Sequence, residues 1–401
     1  MADLTTRCCI AGGGPAGMML GFLLARAGID VVVLEKHADF LRDFRGDTVH
    51  PSTMQVMHEL GLLDKFLARP HSEVRTLGVQ IGDKFIQVAD FTHLPTRAKF
   101  IALMPQWEFL DFIADEANRY PTFRLLMSTD ATGLKREGDR MVGVNAQGPD
   151  GDLEINAHLT IAADGRHSTI RDAAGFEVVD RGAPMDVLWL RLSKSASDPG
   201  QTFGHVDAGR IFIMLDRGDY WQCAYVIPKG GIDEVHARGL DAFCADVVQL
   251  APFLHDRVHE LASWDDVKLL TVAVNRLNTW FRPGLLCIGD AAHAMSPIGG
   301  IGINLAIQDA VAAANILVPR LRESGATLND LRAVQRRREL PTRLTQGMQV
   351  LIQKRIISNV LRGTTTPQPP LAVRMLGRYP ILRRLPARIV GMGFRPEHIS
   401  H

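Results

Sequence analysis

The chain has 401 residues, 46% of them hydrophobic and 22% charged, ordinary proportions for a globular protein of two or three domains with a sizeable core. A formal net charge of +1 gives the molecule no field suited to wrapping nucleic acid. Its five cysteines (Cys8, Cys9, Cys223, Cys244, Cys287) form no CxxC pair and no Cys/His metal spacing. Their odd number points to a reducing, cytoplasmic setting, and neither a leader peptide nor a transmembrane run of about 18 apolar residues is expected.

The first element is a buried strand, Cys8 to Ala11, running into Gly12-x-Gly14-x-x-Gly17. Met18 to Ala27 then has helical periodicity, Gly28 ends the helix, and Val31 to Leu34 reads as a parallel strand closed by Glu35. Gly12 permits a sharp turn, Gly14 lets a pyrophosphate approach the backbone, and Gly17 lets helix pack on strand. The helix start faces the phosphates, and Glu35 is placed for a ribose. This unit does not distinguish NAD from FAD. Arg45 follows in a loop before a helix near Met54 to Leu60, and Gln106 begins another helix after Pro105. A second apolar strand, 159–163, ends in Asp164-Gly165. A third, Leu285 to Ile288, ends in Gly289-Asp290 and leads through "AAHAMSPIGGIGIN" into a long apolar helix.

In that order, the glycine loop with Glu35, the DG strand end and the GDAAHxxxPxxGxGxN segment resemble the group A flavoprotein monooxygenases. These are the para-hydroxybenzoate hydroxylase-like and ubiquinone-biosynthesis hydroxylase-like FAD-dependent aromatic hydroxylases. The resemblance covers roughly residues 5–320. It implies an α/β fold: a Rossmann-like FAD-binding domain, an inserted, mostly β substrate domain and a helical C-terminal tail. It also implies that Gly12, Gly14 and Gly17, with Ala16, hold the pyrophosphate of a non-covalent FAD, and that Glu35, beside Lys36, holds the ribose. By the same resemblance Arg45 and Gln106 reach the pyrophosphate and ribityl region and Ala131 meets adenine. Asp164 and Gly165 serve both FAD and NADPH or NADH, and Asp290 binds ribityl hydroxyls. Pro297 sets its carbonyl near substrate, and Gly300, Gly302, Ile303 and Asn304 border the flavin ring. The implied reaction is hydroxylation of an electron-rich aromatic or quinone-like substrate, with NAD(P)H and O2, through a C4a-hydroperoxyflavin. His293 is read as structural, because the flavin carries the chemistry. An FAD reductase of the same fold that does not activate oxygen is the alternative, and a non-catalytic flavin-binding regulator stands behind it. No WxWxIP run suggests a halogenase.

The expected FAD-binding domain is discontinuous, 1–72, 99–180 and 271–340. The β-sheet substrate domain takes 73–98 and 181–270, and 341–401 is a helical segment. Within "RIFIMLD", Ile211, Ile213 and Leu215 share one face and Phe212 and Met214 the other, and the sequence does not say which looks toward the flavin. Trp189, Arg191, Ile213 and Tyr225 join Pro297 as substrate-side candidates. With no charged group in the middle of that strand, a bulky apolar ring is favoured over a small benzoate. The tail carries ten Lys/Arg against Glu397 alone. It is expected to dock on the FAD domain, with at most weak, salt-sensitive membrane contact. A monomer or homodimer without nucleic-acid or metal partners completes the expectation.

Overall fold

The computed structural model describes residues 2–41, 48–200, 203–323 and 325–400. Its main sheet is built on a parallel core. Strand Ala2–Ala11 lies between Val31–Leu34 and Gly151–Ala162; Phe123–Leu126 extends one side and Leu285–Cys287 the other. An antiparallel hairpin, Asp130–Glu137 with Arg140–Gly148, prolongs the sheet beside Gly151–Ala162. All four residues of Val31–Leu34 are buried, as a parallel strand covered on both faces demands. The covering helices are Pro15–Arg26, Gln106–Ala117 and Ile301–Arg322. Ile298–Arg322 is, among the described residues, the one stretch long and apolar enough to cross a membrane; 78% of its most apolar window is buried inside the protein.

A second, seven-stranded sheet runs Lys268–Leu270, Met185–Ser193, Tyr220–Pro228, Arg210–Asp216, Phe203–Asp207, Thr76–Ile81 and Lys84–Asp90. Segments 76–90 and 185–270 therefore meet in one sheet although nearly 100 residues part them. One face bears Leu188, Leu190, Phe212, Met214, Trp221 and Tyr225 and packs on helix Leu240–Leu250 through Phe243 and Val247. The opposite face bears Val187, Trp189, Ile211, Ile213 and Val226. Ile298 packs into the cluster of this second face, so Ile211 and Ile213 look toward the glycine-rich loop.

Helix Leu328–Ile352 opens with Thr327 and Asp330 capping each other's backbone N–H. It runs straight through position 341, so a boundary at 340/341 falls inside a helix and the basic tail begins as its continuation. The tail then departs from expectation. Helices Leu371–Arg378 and Arg384–Met392 lie mainly on strand Lys84–Asp90 of the second sheet. They reach the larger domain through helix Pro51–Glu59, and the last residues bond back to it, with His398 Nδ1 2.6 Å from Glu59. The apolar side chains on strand Lys84–Asp90 and the adjoining turn, such as Ala89 and Phe91, supply the surface that holds these helices.

Candidate functional site

Three sequence motifs emerge from one edge of the parallel sheet. Ala11 is level with Ala162 and with Leu34, and Ala162 is level with Cys287. Gly12, Asp164, Glu35 and Asp290 therefore all leave the carboxyl ends of neighbouring strands, the edge where open α/β sheets bind ligands. The loops touch. A Cβ on Gly12, which has φ +106°, would lie 2.4 Å from the Ala163 carbonyl oxygen, and one on Gly17 would lie 1.9 Å from that of Gly12. A Cβ on Gly289 would meet Ala16 at 3.1 Å. Gly14 differs from these: among the described residues a Cβ there would meet nothing within 4 Å, because it points into the open side of the turn.

Helix Pro15–Arg26 starts at Gly14 with no side-chain cap and no acid in its first turn, leaving its first N–H groups to an outside acceptor. The Glu35 carboxylate accepts the Gly13 N–H at 3.2 Å and the His37 N–H at 3.1 Å, which orients it over the turn. Lys36 beside it is exposed, and buried Ala131 lies on the neighbouring hairpin, whose approach is fixed by the Thr129 N–H donating to the Glu35 carbonyl. Gln106 is half-buried at the start of its helix. Arg45 lies outside the described residues.

Asp164 is engaged from within the protein. It accepts the Ser168 hydroxyl at 2.5 Å and the Ile170 N–H at 3.1 Å, so it caps the short helix Thr169–Ala173. Burial lifts its carboxyl above the usual range, against the pull of those bonds. Gly165, with φ +87°, turns the chain so that Arg166 reaches across. One Arg166 nitrogen donates to the Thr271 carbonyl at 3.2 Å and another stands 4.0 Å from Asp290. This arginine ties the second motif to the third and went unnoticed in the sequence, where "DGRHS" reads as a surface turn.

The loop from Asp290 to Gly300 is held by helix Leu328–Ile352 and the turn after it. The Gln349 amide donates to the Ser296 and Ile298 carbonyls at 3.0 Å each and accepts the Ser296 N–H at 3.2 Å. Gln346 donates to the carbonyls of Asn275 and Ala294, and Gln353 to the Ser296 hydroxyl at 2.8 Å. The Pro297 carbonyl accepts the Gly300 N–H at 3.0 Å, closing a turn in which Gly299 and Gly300 both have positive φ. A Cβ on Gly300 would lie 2.2 Å from the Thr48 hydroxyl. Gly302 and half-buried Ile303 follow in a helical turn without a side-chain cap. Asn304 spends its side chain inside the protein, accepting from the His50 N–H and the Thr53 hydroxyl at 2.8 Å each and donating to the Thr48 carbonyl at 3.0 Å. Only its backbone is left to face a ligand.

His293 is buried against Trp280, ring centroids 4.9 Å apart, with Nε2 2.6 Å from Asp309. Asp309 also accepts the Gly289 N–H at 3.1 Å and pairs with Arg338 at 2.9 Å, and Arg338 reaches Glu397 at 3.2 Å. His293 is thus a joint in a buried polar chain from the loop to the C-terminal segment.

On the second sheet, Trp189 and Ile213 sit on the face toward the loop, in register through Ala224. Arg191 is exposed at the end of that face, its guanidinium 3.9 Å from the Tyr220 ring centroid. Tyr225, also a substrate-side candidate, is on the opposite face, away from the loop. It packs on Phe243, centroids 5.2 Å apart, and its hydroxyl bonds Asp246 on the far side of the sheet. Strand alternation separates it from Ala224 and Val226, which do look inward.

A family profile described as "FAD binding domain" matches residues 5–347. The chain is 32% identical to 6-methylpretetramide 4-monooxygenase of Streptomyces rimosus over 390 residues, 96% of this chain and 92% of that protein. It is 27% identical to rifampicin monooxygenase of Streptomyces venezuelae, with 75% of this chain covering 61% of that one. Among solved structures, p-nitrophenol 4-monooxygenase of Pseudomonas putida DLL-E4 superposes with a TM-score of 0.76 at 20% identity, covering 96% of this chain and 97% of that chain, a likeness of fold.

Proposed function

Because the chain belongs to the FAD-binding-domain family of flavoprotein aromatic monooxygenases, we propose that it hydroxylates a bulky, electron-rich polycyclic phenol or quinone-like ring, using NADPH or NADH as reductant in the cytoplasm. The observation that carries this reading is the convergence of the three strand ends on one sheet edge, with an open cradle at Gly14 and two uncapped helix starts. The residues fit FAD. Gly12, Gly14, Ala16 and Gly17 would receive its pyrophosphate, Glu35 its ribose, Asp290 its ribityl chain, and the backbone at Gly300–Asn304 its ring edge. Bound FAD would supply the redox chemistry, accepting hydride and activating oxygen.

The chain's own task is placement. The glutamines Gln346, Gln349 and Gln353 hold the loop at residues 294–298 rigid, while Trp189, Ile211 and Ile213 roof the site with apolar surface that excludes water. Among the described residues no cationic side chain stands in the middle of that face, which favours a neutral polycyclic ring over a carboxylate. Non-covalent attachment is supported by the fates of nearby nucleophiles. Cys9 is wholly buried, its thiol pushed up to about 12 by that burial, and His293 is bonded to Asp309. The test is to purify the protein, titrate FAD and screen naphthols, anthrones and their quinones for stimulated NAD(P)H oxidation with a hydroxylated product. A protein that binds no FAD overturns the site; stimulated oxidation that yields only peroxide with every ring overturns the substrate class.

A further inference from the structure

The two tail helices, Leu371–Arg378 and Arg384–Met392, are joined by the turn Pro380–Arg383 and have two unlike sides. The inner side is firmly seated. Ala387 is fully buried, a Cβ on Gly391 would meet Leu94 at 2.8 Å, and the Val390 carbonyl lies 2.8 Å from His50 Nδ1. Arg383 turns inward as a brace, donating to the Gln87 amide oxygen at 2.5 Å and to the Leu376 and Gly377 carbonyls.

The outer side is apolar and cationic together. Leu371 is 71% exposed, Ile381 66% and Leu385 65%, and Met375, Tyr379 and Leu382 are exposed beside them. Arg374, Arg378, Arg384 and Arg388 stand exposed among these side chains. From residue 340 to residue 396 there is no acidic side chain at all. A protein surface seldom leaves so many large apolar groups in water together. A second copy of the chain fits poorly as the cover, because a two-fold pairing of this patch would set arginines against arginines. A surface that offers negative charge at one depth and hydrocarbon just below fits both sets of groups, with the arginine stems lying along the boundary and their heads on phosphate.

We propose that this face rests on an anionic lipid bilayer, Leu371, Met375, Ile381 and Leu385 entering the headgroup boundary and the four arginines meeting lipid phosphates. The helices are short and the apolar side chains few, so the contact is reversible and salt-sensitive rather than an anchor. Its inner side abuts the flavin loop, Val390 being 4.0 Å from where a Gly299 Cβ would stand. A ring dissolved in the bilayer would thus arrive beside the candidate site. The lipid contact itself does not depend on what reaction occurs there.

The experiment is co-sedimentation of the full-length, FAD-loaded protein with vesicles of equimolar phosphatidylcholine and phosphatidylglycerol, and with vesicles of phosphatidylcholine alone. Binding to the mixed vesicles, absent on the neutral ones and falling steeply with salt, is expected. The triple variant Leu371→Glu/Ile381→Glu/Leu385→Glu should lose it while keeping its far-UV spectrum and bound flavin. Arg374→Gln and Arg378→Gln should each weaken binding about fivefold. Wild-type protein that stays in the supernatant with the mixed vesicles overturns the proposal. So does a triple variant that binds as well as wild type, or a sizing profile in which the patch residues hold a dimer that ignores vesicles.

Discussion

Arg338 offers the sharpest test of what holds the glycine-rich loop 289–300. It is 1% exposed, with Nε 2.9 Å from Asp309 and Nη1 3.2 Å from Glu397, and it also donates to the Arg395 carbonyl at 3.1 Å. Asp309 is fully buried and holds the Gly289 N–H and His293. Arg338→Met keeps most of the stem but leaves two buried carboxylates each one partner short. Breaking a buried pair costs about 3–5 kcal/mol. The lower end is expected, about 3 kcal/mol, because Glu397 keeps Arg337 at 2.8 Å and Asp309 keeps His293. Asp309→Asn keeps the shape but weakens both charged bonds, at about 2 kcal/mol. The double variant should cost at least ~1 kcal/mol less than the sum, since the residues share one contact. Urea unfolding followed by circular dichroism reads all three, and flavin fluorescence reads FAD release through the Gly289–Asp290 loop. The pH dependence has a definite sign. Burial pushes Asp309 up, but His293 and Arg338 outweigh it and hold the carboxyl below its usual value. A depressed carboxylate contributes fully above its unfolded pKa of about 3.9 and loses that contribution only as pH falls through the folded value. The part of the gap between wild type and Asp309→Asn that comes from this carboxylate should therefore be lost as the pH falls below about 4. If Arg338→Met unfolds within ~0.5 kcal/mol of wild type, or if the two changes simply add, the buried chain is incidental to the loop.

Asp290→Ala should weaken FAD about ten- to hundredfold, the loss of charged hydrogen bonds worth ~1.5–3 kcal/mol, with an unchanged apo-protein spectrum; unchanged affinity in a titration refutes the assignment. Gly14→Val should fold normally and fail to bind FAD, because its side chain enters only the open cradle, whereas Gly17→Ala should disturb the fold itself, its methyl lying against the Gly12 carbonyl; equal thermal stability of the two variants would contradict this. Burial lowers His50 from 6.5 to about 4, so the unfolded chain takes up a proton first and stability should fall by about 3 kcal/mol between pH 6.5 and 4; His50→Gln should flatten that slope, and an unaltered slope would place the acid sensitivity elsewhere. Tyr225→Phe should leave substrate-stimulated NAD(P)H oxidation unchanged while Trp189→Ala alters its ring preference, and the reverse pattern would mean the sheet presents its other face to the flavin.

The parallel core and its candidate ligand edge are legible because each part leaves a local signature. Glycines stand where Cβ atoms would strike a carbonyl, as at Gly12 and Gly17, and four consecutive apolar residues mark a doubly covered strand at Val31–Leu34. Period-two alternation likewise separated Ile211 and Ile213 from Phe212 and Met214, but alternation is symmetric. Which face meets the loop depends on helix Leu240–Leu250 covering one side and Ile298 the other, contacts made across long stretches of chain. Composition alone therefore does not tell that Tyr225 faces helix Leu240–Leu250 rather than the loop.

The supports of the loop 289–300 are hard to read from the sequence for a different reason. Gln335, Arg338, Thr342, Thr345, Gln346 and Gln349 are buried at helical spacing along Leu328–Ile352, yet they are polar and so read as a solvated face. What sets them apart is that Arg336, Arg337, Glu339 and Arg343 alternate with them. A helix with charges on one face and mainly uncharged amides and hydroxyls on the other is built to bond a backbone. Here that backbone is the irregular loop 294–298, whose carbonyls no strand can satisfy. The tail follows the same logic in reverse. The sequence leads one to expect the tail docked on the FAD domain, but docking requires a partner surface. Strand Lys84–Asp90 and helix Pro51–Glu59 engage one side of each short helix. The side left over is where Leu371, Ile381 and Leu385 lie with four arginines, so the apolar patch that these two helices leave uncovered falls within the chain's one long stretch free of acid.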